Sequence, residues 1–233
     1  MRQNIKAFTL AETLITLMIV GIVAAMTLPV IIAHTRQEQF ITGCKKMYST
    51  LAQAVVRAKT DYGEMDTWDI QGSGHDEQNE YFVNKYILPY VVSAKICGKT
   101  LTDSCAFQYR YLNAQNHAYW TSGWYKIILN DGSAAVFRVS ANDDSRWVLV
   151  TVDVNGDKKP NVLGKDIFTF VYWLHTPNVQ RKERFEAYGT DWPRQSLITS
   201  EGGNACNKKS TGELCAALLM KDNWQMSDDY PVH

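Results

Sequence analysis

An apolar run from Phe8 to Ala33, with a carboxylate planted near its start, constrains this chain more than any other feature. Arg2 and Lys6 precede the run, and Phe8-Thr9-Leu10-Ala11-Glu12 opens it. A stretch of this length can cross a bilayer as one helix. An ionised side chain at the centre of such a helix costs roughly 2.5–3.5 kcal/mol, so it tends to persist only with a partner. A cut between Ala7 and Phe8 creates one. The new amine would lie about one helical turn from Glu12, and subunits packed side by side could pair the two charges.

Two simpler readings account for part of this pattern. A secretory signal has a basic start, an apolar core and a small-residue cleavage site, which Ala24-Ala25 could supply. The apolar run continues past those alanines and is too long for an ordinary signal core. A plain signal anchor would place Glu12 at headgroup level, where its charge costs little. Under either reading Glu12 has no assigned purpose.

The residues Lys6-Ala7-Phe8-Thr9-Leu10-Ala11-Glu12-Thr13-Leu14 closely resemble the class III leader and cleavage site of type IV prepilins and type II secretion pseudopilins. The resemblance implies removal of residues 1–7 by a prepilin peptidase and methylation of the new Phe8 amine. It also implies an assembly role for the Glu12 carboxylate. Residues 8–33 would form the transmembrane or filament-core half of a long helix, and 34–233 an extracytoplasmic head. Ala7 stands where the family usually has Gly. Pro29 falls where pilin-like helices often carry a proline. The implied partners are the peptidase, other pilin or pseudopilin subunits and an inner-membrane assembly platform. The implied location is the bacterial cytoplasmic membrane, then the filament.

Composition is compatible with a tethered domain outside the cytoplasm. The 233 residues are 45% hydrophobic, enough for one ordinary core beyond the anchor. Lys plus Arg and Asp plus Glu both number 24, so no net basic field draws nucleic acid. The basic leader places the N-terminus in the cytoplasm by the positive-inside tendency.

Cysteine usage fits an oxidising compartment. Cys97 and Cys105 bracket one short loop and Cys206 and Cys215 another, without the spacing of a zinc knuckle or redox motif. Short loop closure favours two local disulfides, each worth about 2–3 kcal/mol, although cross-pairings satisfy the sequence too. Cys44 is left over on a helical face, as a small apolar residue or an intermolecular bridge. The histidines are scattered and suggest no metal cluster or catalytic pair.

Helical spacing continues beyond Ala33. Phe40, Cys44, Met47, Tyr48, Leu51, Val55 and Ala58 fall on one face, and Gly63 is a natural stop. A helix from Phe8 to Tyr62 would be about 80 Å long, with Pro29 expected to kink or locally melt it. Trp68 to Glu80 reads as a surface loop and Glu80 to Val92 as a short helix ending near Pro89. Gly123 to Leu129 and Ala134 to Val139 flank Asn130-Asp131-Gly132 as a hairpin. Trp147 to Val154 and Ile167 to Leu174 complete a meander of about four antiparallel strands. The expected fold is α+β: a pilin-like lollipop whose long N-terminal helix packs on that meander.

Asp153-Val154-Asn155-Gly156-Asp157 sets three oxygen-bearing side chains at alternate positions, with Asn161 and Asp166 following. Calcium takes six to eight oxygens, often from such acids and amides on a tight loop. The opening resembles EF-hand and dockerin loops. Gly164 then replaces the closing acid, and Lys158-Lys159 bring competing charge. The alternative is a turn whose Asp and Asn side chains bond their own backbone. The same stretch resembles a segment of bacterial pseudopilin-like heads. Beyond Leu174 the chain reads as a long polar tail with an apolar stretch at Cys215 to Met220 and a cysteine loop that resembles the variable region of type IV pilin heads. Trp192 and Trp224 are candidate contact residues there.

Two functional classes follow: a filament subunit, or a single-pass membrane-anchored binding module, calcium-dependent or not, that never polymerises. No nucleophile–base or acid pair suggests an enzyme.

Overall fold

The computed structural model describes residues 9–99, 105, 108–114, 116–118, 124–141, 145–156, 158–175, 184–200 and 203–232. A single helix, α1 (Leu10–Tyr62), opens the described chain. It ends at Gly63, whose φ of +82° suits glycine and whose N–H donates to the Lys59 carbonyl at 3.0 Å. The helix runs unbroken through Pro29, so the expected local melting does not occur there. Proline removes one ladder bond, and the turns on either side keep theirs.

The chain divides into two compact units, one ending at Gln39 and the other beginning at Phe40. In the first, large apolar side chains are exposed all round the helix, from Leu10 through Leu17, Ile22 and Met26 to Ile32. Among the described residues, this stretch gives α1 the length and apolarity needed to cross a membrane.

In the second unit, Phe40, Cys44, Met47, Leu51, Ala54, Val55 and Ala58 form one buried stripe of α1. From Cys44 onward they lie in a single core with Val148, Val150 and Val152 of β6 (Arg146–Asp153) and Phe168, Phe170 and Tyr172 of β7 (Ile167–His175). Gly43 sets the approach: a Cβ there would lie 2.8 Å from the Val154 Cβ. Period-3.6 and period-2 apolar patterns thus meet on one interface.

The region after α1 departs from the expected loop and helix. A helix, α2 (His75–Phe82), begins five residues before the expected start, and a π-helical turn at Val83–Ile87 and a 3-10 turn at Leu88–Tyr90 follow it. Glu77 holds the entry, its carboxylate accepting from the Ser73 N–H and hydroxyl at 2.9 and 3.0 Å. The preceding loop is anchored by Trp68, which is buried and stacked on Tyr86 with ring centroids 4.3 Å apart.

Among the described residues the sheet has six strands rather than about four, in the order β1 (Ser93–Gly98), β4 (Tyr125–Leu129), β5 (Ala134–Ala141), β6, β7 and β8 (Arg184–Ala187), every neighbouring pair antiparallel. The central hairpin is β4 with β5. The added edges are β1 and the four-residue β8. Their sequence signals are weak for physical reasons. β1 has an irregular register against β4 that breaks simple alternation, and β8 is short and carries two charged residues. A separate ribbon pairs β2 (Gln108–Arg110) with β3 (Asn116–Ala118).

The far face of the sheet has its own small core of Tyr109, Trp124, Val136, Leu163 and Ile167. The expected polar tail is folded into the main core. It forms α3 (Arg194–Thr199) and α4 (Cys215–Lys221), and every α4 residue from Cys215 to Leu219 is buried. Arg194 clamps this end by donating to both Asp222 oxygens, at 2.6 and 2.7 Å, and to Asp229.

Candidate functional site

Two regions carry the candidate chemistry. At the first, Ala7 and Phe8 lie outside the described residues, which begin at Thr9. Glu12 is exposed in the third position of α1. Its carboxylate accepts from the Thr9 N–H at 2.9 Å and the Thr9 hydroxyl at 2.8 Å, while the Thr9 hydroxyl oxygen accepts from the Glu12 N–H at 3.3 Å. This reciprocal arrangement is a capping box. Thr-x-x-Glu before an apolar run is its usual signature, so this second role of Glu12 was within reach of the sequence. Glu12 therefore already helps start the helix before any neighbour is considered.

The second region links β6 to β7. Asp153 and Asp166 are both buried, and the Val154 N–H donates to the Asp166 carbonyl at 3.0 Å, drawing the loop's ends together. The Asp166 carboxylate accepts from the Asn161 and Val162 N–H groups at 2.8 and 2.7 Å. Asp153 accepts from the Asn155 N–H at 3.1 Å. Burial, and then the nearby charge of Asp166, push the Asp153 carboxyl up to about 8. Burial likewise raises Asp166, partly offset by its backbone donors.

The amide side chains supply the more telling observation. The Asn155 and Asn161 Oδ1 atoms are buried and meet no hydrogen-bond donor among the described residues. A buried unmatched acceptor costs on the order of 1–3 kcal/mol. Two of them lie on one short loop beside two desolvated carboxylates, which already take backbone N–H groups and the Asn155 side-chain amide, so the amide oxygens leave acceptors to spare. Such a set of oxygens suits a hard cation. Asp157 lies outside the described residues. No group of three His, Cys, Asp or Glu that could hold a metal occurs among the described residues, so any ion here relies on the amides.

Close packing fixes the loop. Gly156, at φ +67°, sits where a Cβ would lie 2.3 Å from the Gly132 carbonyl oxygen. Asn161 adopts φ +52°, which asparagine tolerates better than most residues. The buried Lys126 lowers the Asp153 carboxyl through its charge, and so acts on the site from β4, two strands away. Its apolar strand context carries no sequence signal for that role.

The structure pairs Cys97 with Cys105 and Cys206 with Cys215. Cys44 is free and buried, and burial raises its thiol well above the usual range. Of the two tryptophans considered as contact residues, Trp192 is exposed, whereas Trp224 packs on Tyr48 with centroids 5.7 Å apart.

Residues 30–233 match a family of unknown function, DUF6613. The chain belongs to that family. Residues 2–28 match the prokaryotic N-terminal methylation motif, which spans Ala7, Phe8 and Glu12. The membership covers the six-stranded sheet and the loop between β6 and β7, and the methylation motif identifies a precursor with a prepilin-type signal. Signal and apolar helix together fit a membrane-anchored protein. No curated protein and no solved structure matches the chain.

Proposed function

We propose that this chain is the precursor of a structural subunit of an extracytoplasmic filament, of the type IV pilus or type II secretion pseudopilus kind. A prepilin peptidase cuts between Ala7 and Phe8, and the Phe8 amine is methylated. Residues 8–33 hold the subunit in the membrane as a single span until it joins an assembly platform. The observation that carries this reading is the methylation motif at residues 2–28, running directly into a helix segment whose apolar side chains are exposed. A charge taken into a bundle of such segments is tolerable only when well paired, so Glu12 and a neighbour's Phe8 amine would set register as well as add stability. The role is structural rather than catalytic.

The mass of the mature N-terminus tests the first step, since the reading requires a chain that begins at methylated Phe8. Glu12→Ala tests the second. That variant should still insert in the membrane yet fail to join filaments. Processing followed by persistence as separate subunits would instead favour the non-polymerising anchored module.

The head would also hold a calcium ion between β6 and β7, on Asp153, Asn155, Asn161 and Asp166. The support is the pair of donorless amide oxygens. Calcium should raise the thermal stability of the wild-type chain but not that of Asp166→Asn, and an equal response from both would remove the ion from this loop.

A further inference from the structure

The loop between β6 and β7 is not braced by its own strands alone. A Cβ on Gly164, at φ +83°, would lie 2.6 Å from the Cys215 Sγ and 3.2 Å from Leu112 Cδ1, so the loop backbone rests directly on the second disulfide. The buried Tyr230 hydroxyl donates to the Gly164 carbonyl at 2.6 Å. Gly212 makes a matching approach from within the Cys206–Cys215 loop, since a Cβ there would lie 2.8 Å from Leu112 and 2.9 Å from the Leu163 carbonyl oxygen.

The 108–114 segment ties the two loops together. The Leu112 and Asn113 N–H groups donate to the Thr211 and Ser210 carbonyls at 3.0 and 3.1 Å. On its other side, the Arg110 N–H donates to the Asn161 carbonyl and the Leu163 N–H returns to the Arg110 carbonyl, both at 2.9 Å. Asn161 and Val162, whose N–H groups hold the Asp166 carboxylate, lie within this braced stretch.

We infer that the Cys206–Cys215 disulfide is a structural part of the cation site, holding the 161–166 backbone in the geometry that presents Asp166 and the Asn161 amide to an ion. The inference rests on the proposed calcium reading and adds its regulation. Opening the disulfide frees Cys215 from Cys206 and releases the surface on which Gly164 sits. The 161–166 arc then loses one wall, and the Asn161 and Val162 N–H groups lose their fixed hold on the Asp166 carboxylate. A dithiol reductant does this by thiol–disulfide exchange: two electrons reduce the protein disulfide to two thiols, and the dithiol closes to its own disulfide. Disulfides form and persist in oxidising compartments. The site would accordingly reach full affinity only after the head has left the cytoplasm. The Cys97–Cys105 disulfide, which ends in the edge strand β1, takes no part in these contacts.

Calorimetric titration of calcium chloride into the full chain in detergent micelles tests this, with amide exchange at Asn161 and Val162 followed in parallel. In the oxidised chain calcium binds, and both amides exchange slowly. In Cys206→Ser/Cys215→Ser, or after dithiol treatment of wild type, affinity should fall at least tenfold and both amides should exchange at least tenfold faster with no metal present. Cys97→Ser/Cys105→Ser should change neither. Tyr230→Phe keeps the disulfide and removes one brace, so it should weaken binding about threefold even if the double-serine variant does not fold. Wild-type affinity and wild-type exchange in both Tyr230→Phe and the opened chain would overturn the brace. Absent calcium binding in the oxidised wild type, with exchange still disulfide-dependent, would instead remove the ion and leave only the mechanical coupling.

Discussion

From Leu10 to Ile32 the large apolar side chains of α1 are exposed on every side, whereas from Phe40 to Ala58 one stripe of the same helix is buried in the head. Both stretches are helical, but they meet the hydrophobic effect differently. A helix apolar all round has no polar face to offer water and needs an apolar environment from outside the chain. A helix with a single stripe is satisfied by its own fold. Where a segment's partner resides can thus be read from how far round the helix the apolar residues extend.

The largest contrast should come from matched truncations. Leu51→Ala removes a fully buried side chain and should cost about 2–5 kcal/mol, lowering the melting temperature of the head by roughly 5–15 °C. Leu17→Ala removes a side chain that is 69% exposed and should leave that melting temperature unchanged. Calorimetry of both variants in micelles checks the pair, and equal losses would break the comparison.

The two stretches also differ in how carboxylates are treated near them. Glu12 is exposed, while the head buries Asp153 and Asp166. Because the folded Asp153 carboxyl is held at about 8, well above its unfolded value, the native state binds more protons than the unfolded one between about pH 4 and 8. Stability should therefore fall as pH rises through that window, by a few degrees of melting temperature in a chelator. Asp153→Asn should flatten this slope. A melting temperature that climbs from pH 5 to 8 in the chelator would contradict the burial of these acids.

Glycine gives a smaller contrast, with opposite signs. A methyl group added at Gly21 would meet nothing within 4 Å, so Gly21→Ala should strengthen its helix by up to about 1 kcal/mol. Gly43→Ala gains the same propensity but drives a methyl against the Val154 Cβ, which cannot swing aside as a flexible side-chain end would. The net outcome should be a loss of about 1 kcal/mol in the head's stability. Denaturant unfolding of Gly43→Ala reads this loss, and amide exchange along the first half of α1 reads the gain.

The smallest effect concerns the start of the helix. Thr9→Ala removes the reciprocal cap with Glu12 and should weaken the first turn by about 1 kcal/mol. Faster exchange at the Leu10 to Glu12 amides, with the head's melting temperature unmoved, is the expected result.

Much of this architecture was legible in the residues. The stripe from Phe40 to Ala58 repeats at helical spacing, and strands β4 to β7 have apolar runs bounded by turn residues. The extra strands were not legible, because a bulged edge and a four-residue strand leave too little pattern against background. Trp68 in a polar stretch gave no sign that it would stack on Tyr86. The tail after Leu174 reads as polar overall with one apolar run at Cys215 to Met220, and that run alone did not show that Cys215 to Leu219 are buried in the main core.

The candidate cation loop divides along the same line. Its oxygen-bearing residues were visible as a spacing. The burial of Asp153 and Asp166, the amide oxygens left without donors and the contact between Gly164 and Cys215 emerge only in the folded chain.

Local chemistry was enough to establish the long helix, its apolar first half, the capping residues and the central hairpin, because each rests on interactions between near neighbours in sequence. Six strands instead of four, a buried C-terminal segment and a disulfide set against the loop of Asp153 and Asp166 emerged only with the folded chain. Those features arise from close packing between residues as distant as Gly164 and Tyr230, where shape and desolvation decide and no short-range pattern records the outcome.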